Sequence, residues 1–514
     1  MRDLGDFQTP PALVAAVLDQ LGLIGTRWTR VLEPTCGRGH FLSGVLAGPS
    51  PPRQVLGIEI QEGHADVARV AARGHGDVLC ASLFDLDLTR DLPWDTEGPL
   101  LVLGNPPWIT SAELGLLESG NVPHKRNVKG MKGLEARTGA SNFDIAEAVW
   151  LKLIAELADQ RPTIALLCKT TVARAVLAHA REQQWPIAEA SIHRIDATKW
   201  FRAAVDGCLL RVRLGPGTPD PAIPIFSTLG ATAPECSLGF TDRGPVADSE
   251  RYGTCAFADG LSPVTWRQGV KHDAADVMEL TRERDSDAWR NRLGEAIDVE
   301  PEYVYPLLKG GDLARIDGSA LQRAVIVTQR SLGENTRLLA IEAPRLWAYL
   351  TSHAARFDRR KSSIYRDRPP FSLFGIGPYS FAPYKVTVSG LHKSPRFRAY
   401  GPERERPRLC DDTCYFLPFA SAQRAALAAA LLDEPSARDL VHALLFRDAK
   451  RPVTKKLLQR IDLLAVLDRA ERHTLLGRAD EELSRLGGRP GEWPDPLEPL
   501  LAEPEDRHSP EFPR

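Results

Sequence analysis

Four consecutive residues, Asn105-Pro106-Pro107-Trp108, have the types and spacing to hold a planar amino group. The side-chain oxygen of Asn105 and the carbonyl of Pro106 both accept hydrogen bonds. The prolines fix φ and carry no N–H, so the turn offers acceptors without competing donors. Trp108 adds an aromatic face on which a ring can stack. The quartet ends an apolar run, Leu100-Leu101-Val102-Leu103-Gly104, that reads as a buried strand. A strand-end turn with two prolines needs no function of its own, so the meaning of the quartet depends on what else the chain supplies.

A second set lies upstream, in Val31-Leu32-Glu33-Pro34-Thr35-Cys36-Gly37-Arg38-Gly39-His40-Phe41-Leu42. The run reads as a short strand, a glycine turn and the start of a helix. Gly37 and Gly39 let the backbone approach a ligand closely and take positive φ. A dinucleotide loop would put a third glycine where Leu42 stands, and a P-loop would need Gly-Lys-Ser/Thr. Acid-Pro-x-x-Gly-x-Gly-x-Phe-Leu is far more specific than Gly-x-Gly alone. With the later Asn-Pro-Pro-Trp, it resembles the S-adenosylmethionine-dependent DNA adenine-N6 methyltransferases.

The resemblance implies roles residue by residue. Glu33, Pro34, Thr35, Cys36, Gly37 and Gly39 would line the methionine end of S-adenosylmethionine, with Glu33 facing its positive charge. The next strand, Gln54 to Ile60, ends in Glu59, placed to bond ribose hydroxyls, with Ile60 beside it. A third strand, Asp77 to Leu83, would bring Ser82 and Leu83 to the cofactor's adenine. Ser82 stands where the family often has Asp. Phe7-Gln8-Thr9-Pro10 would lie over the methionine part. It opens a helix with Thr9 as N-cap and a proline in the first turn. Asn105 borders both cofactor and acceptor, and Trp108 would stack on the acceptor base. A strand pair, Ala188–Ile195 and Gly207–Leu214, is joined through Lys199-Trp200-Phe201-Arg202, and Phe201 would pack on the far side of that base. N-terminal flap, cofactor half, catalytic half and then a long remainder is the gamma order of motifs.

These motifs need an α/β frame. The predicted fold is a doubly wound class I methyltransferase (Rossmann-like) sheet, followed by a C-terminal mixed α/β target-recognition domain and terminal helices. At 514 residues the chain is too long for one domain. The expected divisions are a methyltransferase domain over 1–245, a connector over 246–300, a target-recognition domain over 301–449, and helices with a Pro-rich tail over 450–514. A helix over Asn142–Ala158 and a strand over Thr163–Lys169 follow the catalytic turn. The polar stretch between Trp108 and Ser141 reads as a functional loop and carries Lys125, Arg126 and Lys129.

The formal net charge of −2 argues against a general nucleic-acid binder. The distribution reverses that argument locally: residues 351–410 hold 13 Lys/Arg against 4 Asp/Glu, with aromatics between them. Such a stretch can bind phosphates. Arg359, Arg360, Lys361, Tyr365, Arg366, Tyr384, Lys385 and Lys393 are the candidate contacts to double-stranded DNA. Tyr365, Arg366, Tyr384 and Lys385 are the better placed for base edges. A solvated basic face is the alternative.

The eight cysteines are scattered, several on apolar strands, which reads as reduced thiols in a cytoplasmic protein. Cys410-x-x-x-Cys414 has no second pair beside it, so no metal is expected. No apolar run is long enough for a membrane span. Methylation of RNA or of protein glutamine uses the same acceptor logic, in shorter chains. Cytosine-N4 methylation usually uses Ser-Pro-Pro. A fused nuclease is disfavoured because no Glu-x-Lys triplet occurs. A non-catalytic DNA-binding subunit would be expected to have lost one of the two motifs. Other subunits of a restriction–modification or phage-defence system are compatible partners.

Overall fold

A computed structural model describes residues 8–22, 28–109, 144–203, 205–217, 222–282, 288–314 and 322–501. Phe7, Lys125, Arg126 and Lys129 lie outside the described residues. The chain divides into two compact units, Met1–Glu250 and Arg251–Arg514.

The first unit is built on β1 Arg30–Glu33, β2 Gln54–Glu59, β3 Gly76–Cys80, β4 Leu100–Gly104, β5 Thr163–Lys169, β6 Ile187–Ile195 and β7 Gly207–Leu214. Three further strands, β8 Ala222–Phe226, β9 Cys236–Thr241 and β10 Gly244–Val246, extend one edge. The sheet order is β10-β9-β8-β6-β7-β5-β4-β1-β2-β3. Strands β1 to β5 are mutually parallel where they pair, and β7 runs antiparallel to both neighbours. The doubly wound class expected from the sequence is therefore borne out. The chain winds outward in one direction from β1 through β2 to β3, and in the other through β4 to β5. The reversal falls between β1 and β4, where ligands of open α/β sheets bind.

Local sequence explains these elements. Every residue of β4 is buried, and so are the first six of β5. Parallel strands covered on both faces read as continuous apolar runs. Helices α1 Pro11–Gln20, α2 His40–Leu46 and α3 Glu62–Ala72 share one apolar core with Val31, Val55, Leu101, Trp108 and Phe201. Helix α4 Ile145–Leu157 buries ten of its thirteen residues, and α5 Thr170–Glu182 follows β5 directly. Each fully buried Leu or Val contributes roughly 1.5–3 kcal/mol.

Two expectations differ in detail. The third strand stops at Cys80, because Ser82 accepts a hydrogen bond from the Phe84 N–H (3.3 Å) and starts a short 3₁₀ turn. Thr9 does not cap α1. Pro10 occupies the N-cap position in an extended conformation, with Pro11 as the first helical residue. A residue before proline is pushed out of the helical region, so the Pro-Pro pair shifts the boundary by one.

The second unit holds two sheets. One has four strands in the order Arg267–Gln268, Cys414–Phe419, Tyr384–Ser389, Arg398–Tyr400. The other has six, from Ala296–Ile297 through Trp289–Asn291, Glu279–Arg282, Arg323–Ile326 and Val304–Leu308 to Leu409–Cys410. Residues 246–300, expected as a connector, thus supply strands to both sheets. Helices Lys455–Leu458, Leu463–Arg469 and Arg472–Arg485 follow, within the span predicted as helical. Among the described residues no helix is long and apolar enough to cross a membrane.

Candidate active site

The tip of β1 places an acid beneath the glycine turn. Glu33 is buried, and its Oε2 accepts a hydrogen bond from the Leu42 N–H in the first turn of α2 (3.2 Å). Burial pushes its carboxyl well above the usual carboxylate range; the Leu42 N–H opposes that shift, and the charge of Glu59 adds to it. Burial also pushes the Cys36 thiol up, assisted by Glu33 and Glu59, so Cys36 is a packed neutral thiol rather than a nucleophile.

Both turn glycines have positive φ, +53° at Gly37 and +76° at Gly39, but their missing side chains serve different neighbours. A Cβ on Gly37 would meet the Gln8 side chain at 2.9 Å. A Cβ on Gly39 would press on the Ala68 backbone of α3 at 3.1 Å. Gly39 thus also packs directly on α3. Gln8 lies over the turn and accepts from the Arg38 N–H (3.3 Å), while His40 Nδ1 sits 2.8 Å from the Thr9 carbonyl. His40, which sequence reasoning passed over, ties the N-terminal segment to the glycine turn.

The tip of β2 closes the other side. Glu59 is buried; its Oε2 accepts from the Gly37 N–H (2.9 Å) and its Oε1 from the Gln61 N–H (2.8 Å). A carboxylate offers about four lone-pair positions, so each oxygen can take another donor. The adjacent Ile60 is an exposed large hydrophobic, at 38%. Leu83 is buried and Ser82 half-buried at the end of β3.

The tip of β4 adjoins that of β1. A Cβ on Gly104 would lie 3.5 Å from Glu33 Cγ and 3.7 Å from Pro34 Cδ, so the two motifs leave neighbouring strands side by side. Asn105 and Pro107 are half-buried and Pro106 is buried. Trp108 turns inward, with its indole N–H donating to the Leu167 carbonyl (3.3 Å). Phe201, at the end of α6 Ala197–Phe201, meets it edge-on with centroids 5.3 Å apart. Gly207 at the start of β7 has no room for a side chain, since its Cβ would lie 2.7 Å from Trp108 Cη2. The two aromatics expected to flank a base are in direct contact with each other and buried, 6% and 9% exposed, so no gap for a base lies between them; Gly207, which the sequence reading missed, packs on the same indole. A further unpredicted pair lies alongside: Lys169 Nζ donates to Asp144 Oδ2 (2.7 Å).

The basic stretch of the second unit separates into two classes. Arg359, Lys361, Arg366 and Lys393 are exposed. Arg360 is half-buried; its guanidinium donates to the Ser372 carbonyl (2.7 Å) and lies 3.7 Å over the Tyr365 ring. One face of Tyr365 is thereby covered. Tyr384 is half-buried. Lys385, expected to reach base edges, is only 2% exposed; it donates to the Ala382 carbonyl (2.5 Å), and burial lowers its pKa to about 8. It is a core cation with no surface to offer DNA. Among the described residues no group of three or more His, Cys, Asp or Glu could hold a metal ion.

No family model matches the sequence. The chain is 34% identical over 466 residues to the type II methyltransferase M.NspV of a Nostoc species, covering 90% of this chain and 96% of that protein. It is 31% identical over 109 residues to the type II methyltransferase M.CvrRI of a Paramecium bursaria Chlorella virus, covering 21% of this chain and 25% of that one. Among solved structures, that of the type IIL restriction–modification enzyme MmeI in complex with DNA is similar with a TM-score of 0.57 at 12% identity, over 96% of this chain and 75% of that one. At that identity the likeness shows a shared fold.

Proposed function

The chain belongs to the type II methyltransferases, and on that footing we propose that it is a site-specific DNA methyltransferase acting on adenine N6, within a restriction–modification or phage-defence system. The observation that carries this reading is the adjacency of two tips: the glycine turn after β1 and the Asn105–Trp108 turn after β4 leave neighbouring parallel strands at the point where the sheet reverses.

The residues present fit S-adenosylmethionine. Gly37, at positive φ, lets the turn close against the Gln8 side chain, which occupies the place a Cβ would need. Glu59, oriented by two backbone N–H groups, has lone pairs left for the two ribose hydroxyls. Ile60 offers an exposed apolar surface to an adenine ring, and Glu33 a buried carboxyl to a positive charge. The cofactor, when bound, supplies an activated methyl group on a sulfonium.

The chain does the rest. The target adenine must leave the helix, which costs a few kcal/mol. Trp108 and Phe201, buried against each other, back the Asn105–Trp108 turn that receives it, and the exposed cations of the second unit hold the backbone. Asn105 Oδ1 and the Pro106 carbonyl would accept hydrogen bonds from the two N6 hydrogens and turn the nitrogen lone pair outward; as the N–C bond forms, the C–S bond of the sulfonium breaks to leave a neutral thioether, and one N6 proton passes to solvent. Catalysis then rests on positioning and on preorganised acceptors, without a covalent enzyme intermediate.

The test is mass spectrometry of nucleosides from duplex DNA and RNA, and of peptides from protein, after incubation with labelled cofactor. Label in N6-methyladenine from duplex DNA is expected. Label in N4-methylcytosine, RNA or glutamine would replace the reading with the corresponding alternative.

A further inference from the structure

Asp144 and Lys169 form an ion pair that the proposed chemistry leaves unused. Asp144 divides its carboxylate between two tasks. Oδ1 caps α4 by accepting from the Ala146 N–H (3.1 Å), and Oδ2 takes the Lys169 ammonium at 2.7 Å. The side chains are 11% and 22% exposed, so the attraction is weakly screened. Lys169 is the last residue of β5, the strand beside catalytic β4.

The pair completes a closed ring around the catalytic turn. Ile109, the residue after Trp108, accepts through its carbonyl from the Ile145 N–H at the start of α4 (3.0 Å). Asp144 then joins that helix start to Lys169, two residues along β5 from Leu167. The Leu167 carbonyl holds the Trp108 indole. One side of the ring is a backbone hydrogen bond, one is the Trp108 indole bond to a backbone carbonyl, and the Asp144–Lys169 contact is the side made by side chains alone.

We infer that Asp144 and Lys169 are positioning residues for methyl transfer: by closing this ring they fix the exit of the Asn105–Trp108 turn, and with it the acceptor oxygens. The inference rests on the reading of Asn105 given above. A misplacement of about 1 Å can cost on the order of 100-fold in rate, so losing one tie of the ring can slow transfer without touching the cofactor site.

Asp144→Asn keeps an oxygen for the Ala146 N–H and removes the charge; Lys169→Met keeps the stem and removes the ammonium. The measurement is the single-turnover rate of methyl transfer to duplex DNA, at saturating cofactor and DNA. It is accompanied by calorimetric affinity for S-adenosylmethionine and thermal melting. Each variant is expected to slow the rate by roughly tenfold or more with unchanged cofactor affinity, on the scale of such misplacements. The double variant should be no slower than either single, and Lys169→Arg should retain most of the rate. Unchanged rates in both singles, losses that multiply in the double, or losses explained wholly by melting would overturn the inference. A wild-type protein that moves no methyl group to DNA removes the reading beneath it, and the inference with it. An active wild type with indifferent variants overturns the positioning role alone.

Discussion

Trp108 meets Phe201 edge-on, with ring centroids 5.3 Å apart and planes at 66°, and the indole N–H is held by the Leu167 carbonyl. Two aromatics far apart in sequence thus form one contact beside the Asn105–Trp108 turn. Such a pair contributes about 0.5–1.5 kcal/mol beyond its buried area. Phe201→Leu should lower stability by about that amount. Trp108→Leu should in addition slow methylation of a fully paired duplex. A mismatch at the target base should not restore the rate, because a buried indole acts on the turn and not on the cost of extruding the base. Recovery of the rate on a mismatched duplex would instead give Trp108 a part in holding the extruded base.

Glu33 predicts how cofactor binding depends on pH. Its carboxyl is raised by burial, so in the free protein it holds its proton above the usual carboxylate range. A positive ligand favours the ionised form, and binding should release a proton. Affinity for S-adenosylmethionine should therefore rise with pH through the raised pKa and level off above it. Glu33→Gln still offers an oxygen to the Leu42 N–H but cannot ionise, and should lose the rise. Calorimetry across pH, with the proton release read from buffers of different ionisation enthalpy, checks both.

Lys385 predicts a stability effect in the second unit. Burial lowers its folded pKa to about 8 from the 10.5 of a free lysine. The unfolded chain then binds the proton more tightly, so stability is reduced at low pH and recovers as pH rises between those values. The full shift corresponds to roughly 3 kcal/mol. Lys385→Met should stabilise the protein at pH 7 and lose that advantage near pH 10.5. Parallel melting curves across that range would contradict the buried charge.

The exposed cations predict the salt dependence of DNA binding. Arg359→Gln with Lys361→Gln should weaken binding and reduce the log–log salt slope by about 1.8, if each neutralises one phosphate. Arg360→Gln should act differently, lowering stability by loss of its bond to the Ser372 carbonyl while leaving the slope alone. Anisotropy titrations at several salt concentrations separate the two. Identical slopes for wild type and the double variant would make this stretch a solvated face.

The first unit was largely legible because buried parallel strands are written as apolar runs, and because the motifs sit at strand tips where turn chemistry is local. The misses have physical causes. Thr9 lost the cap to a second proline. The close fit of Gly39 to Ala68 could not be read, because α3 lies further along the chain. Lys385 lies in a strand in which every residue after Tyr384 is buried, so alternation carried no warning that its side chain points inward. Asp144 and Lys169 carried no pairing signal, since what joins them is the register of β5 beside β4 and the return of α4.

The central claim is that the Asn105 turn performs transfer beside a cofactor site it does not itself create. Asn105→Ala separates the two most directly, with methyl incorporation into duplex DNA and S-adenosylmethionine affinity measured on the same preparation. Transfer should fall by at least about 100-fold, the scale on which one preorganised hydrogen-bonding group acts, while cofactor affinity stays within about threefold, a difference under 1 kcal/mol. Near-normal methylation by the variant would contradict the account.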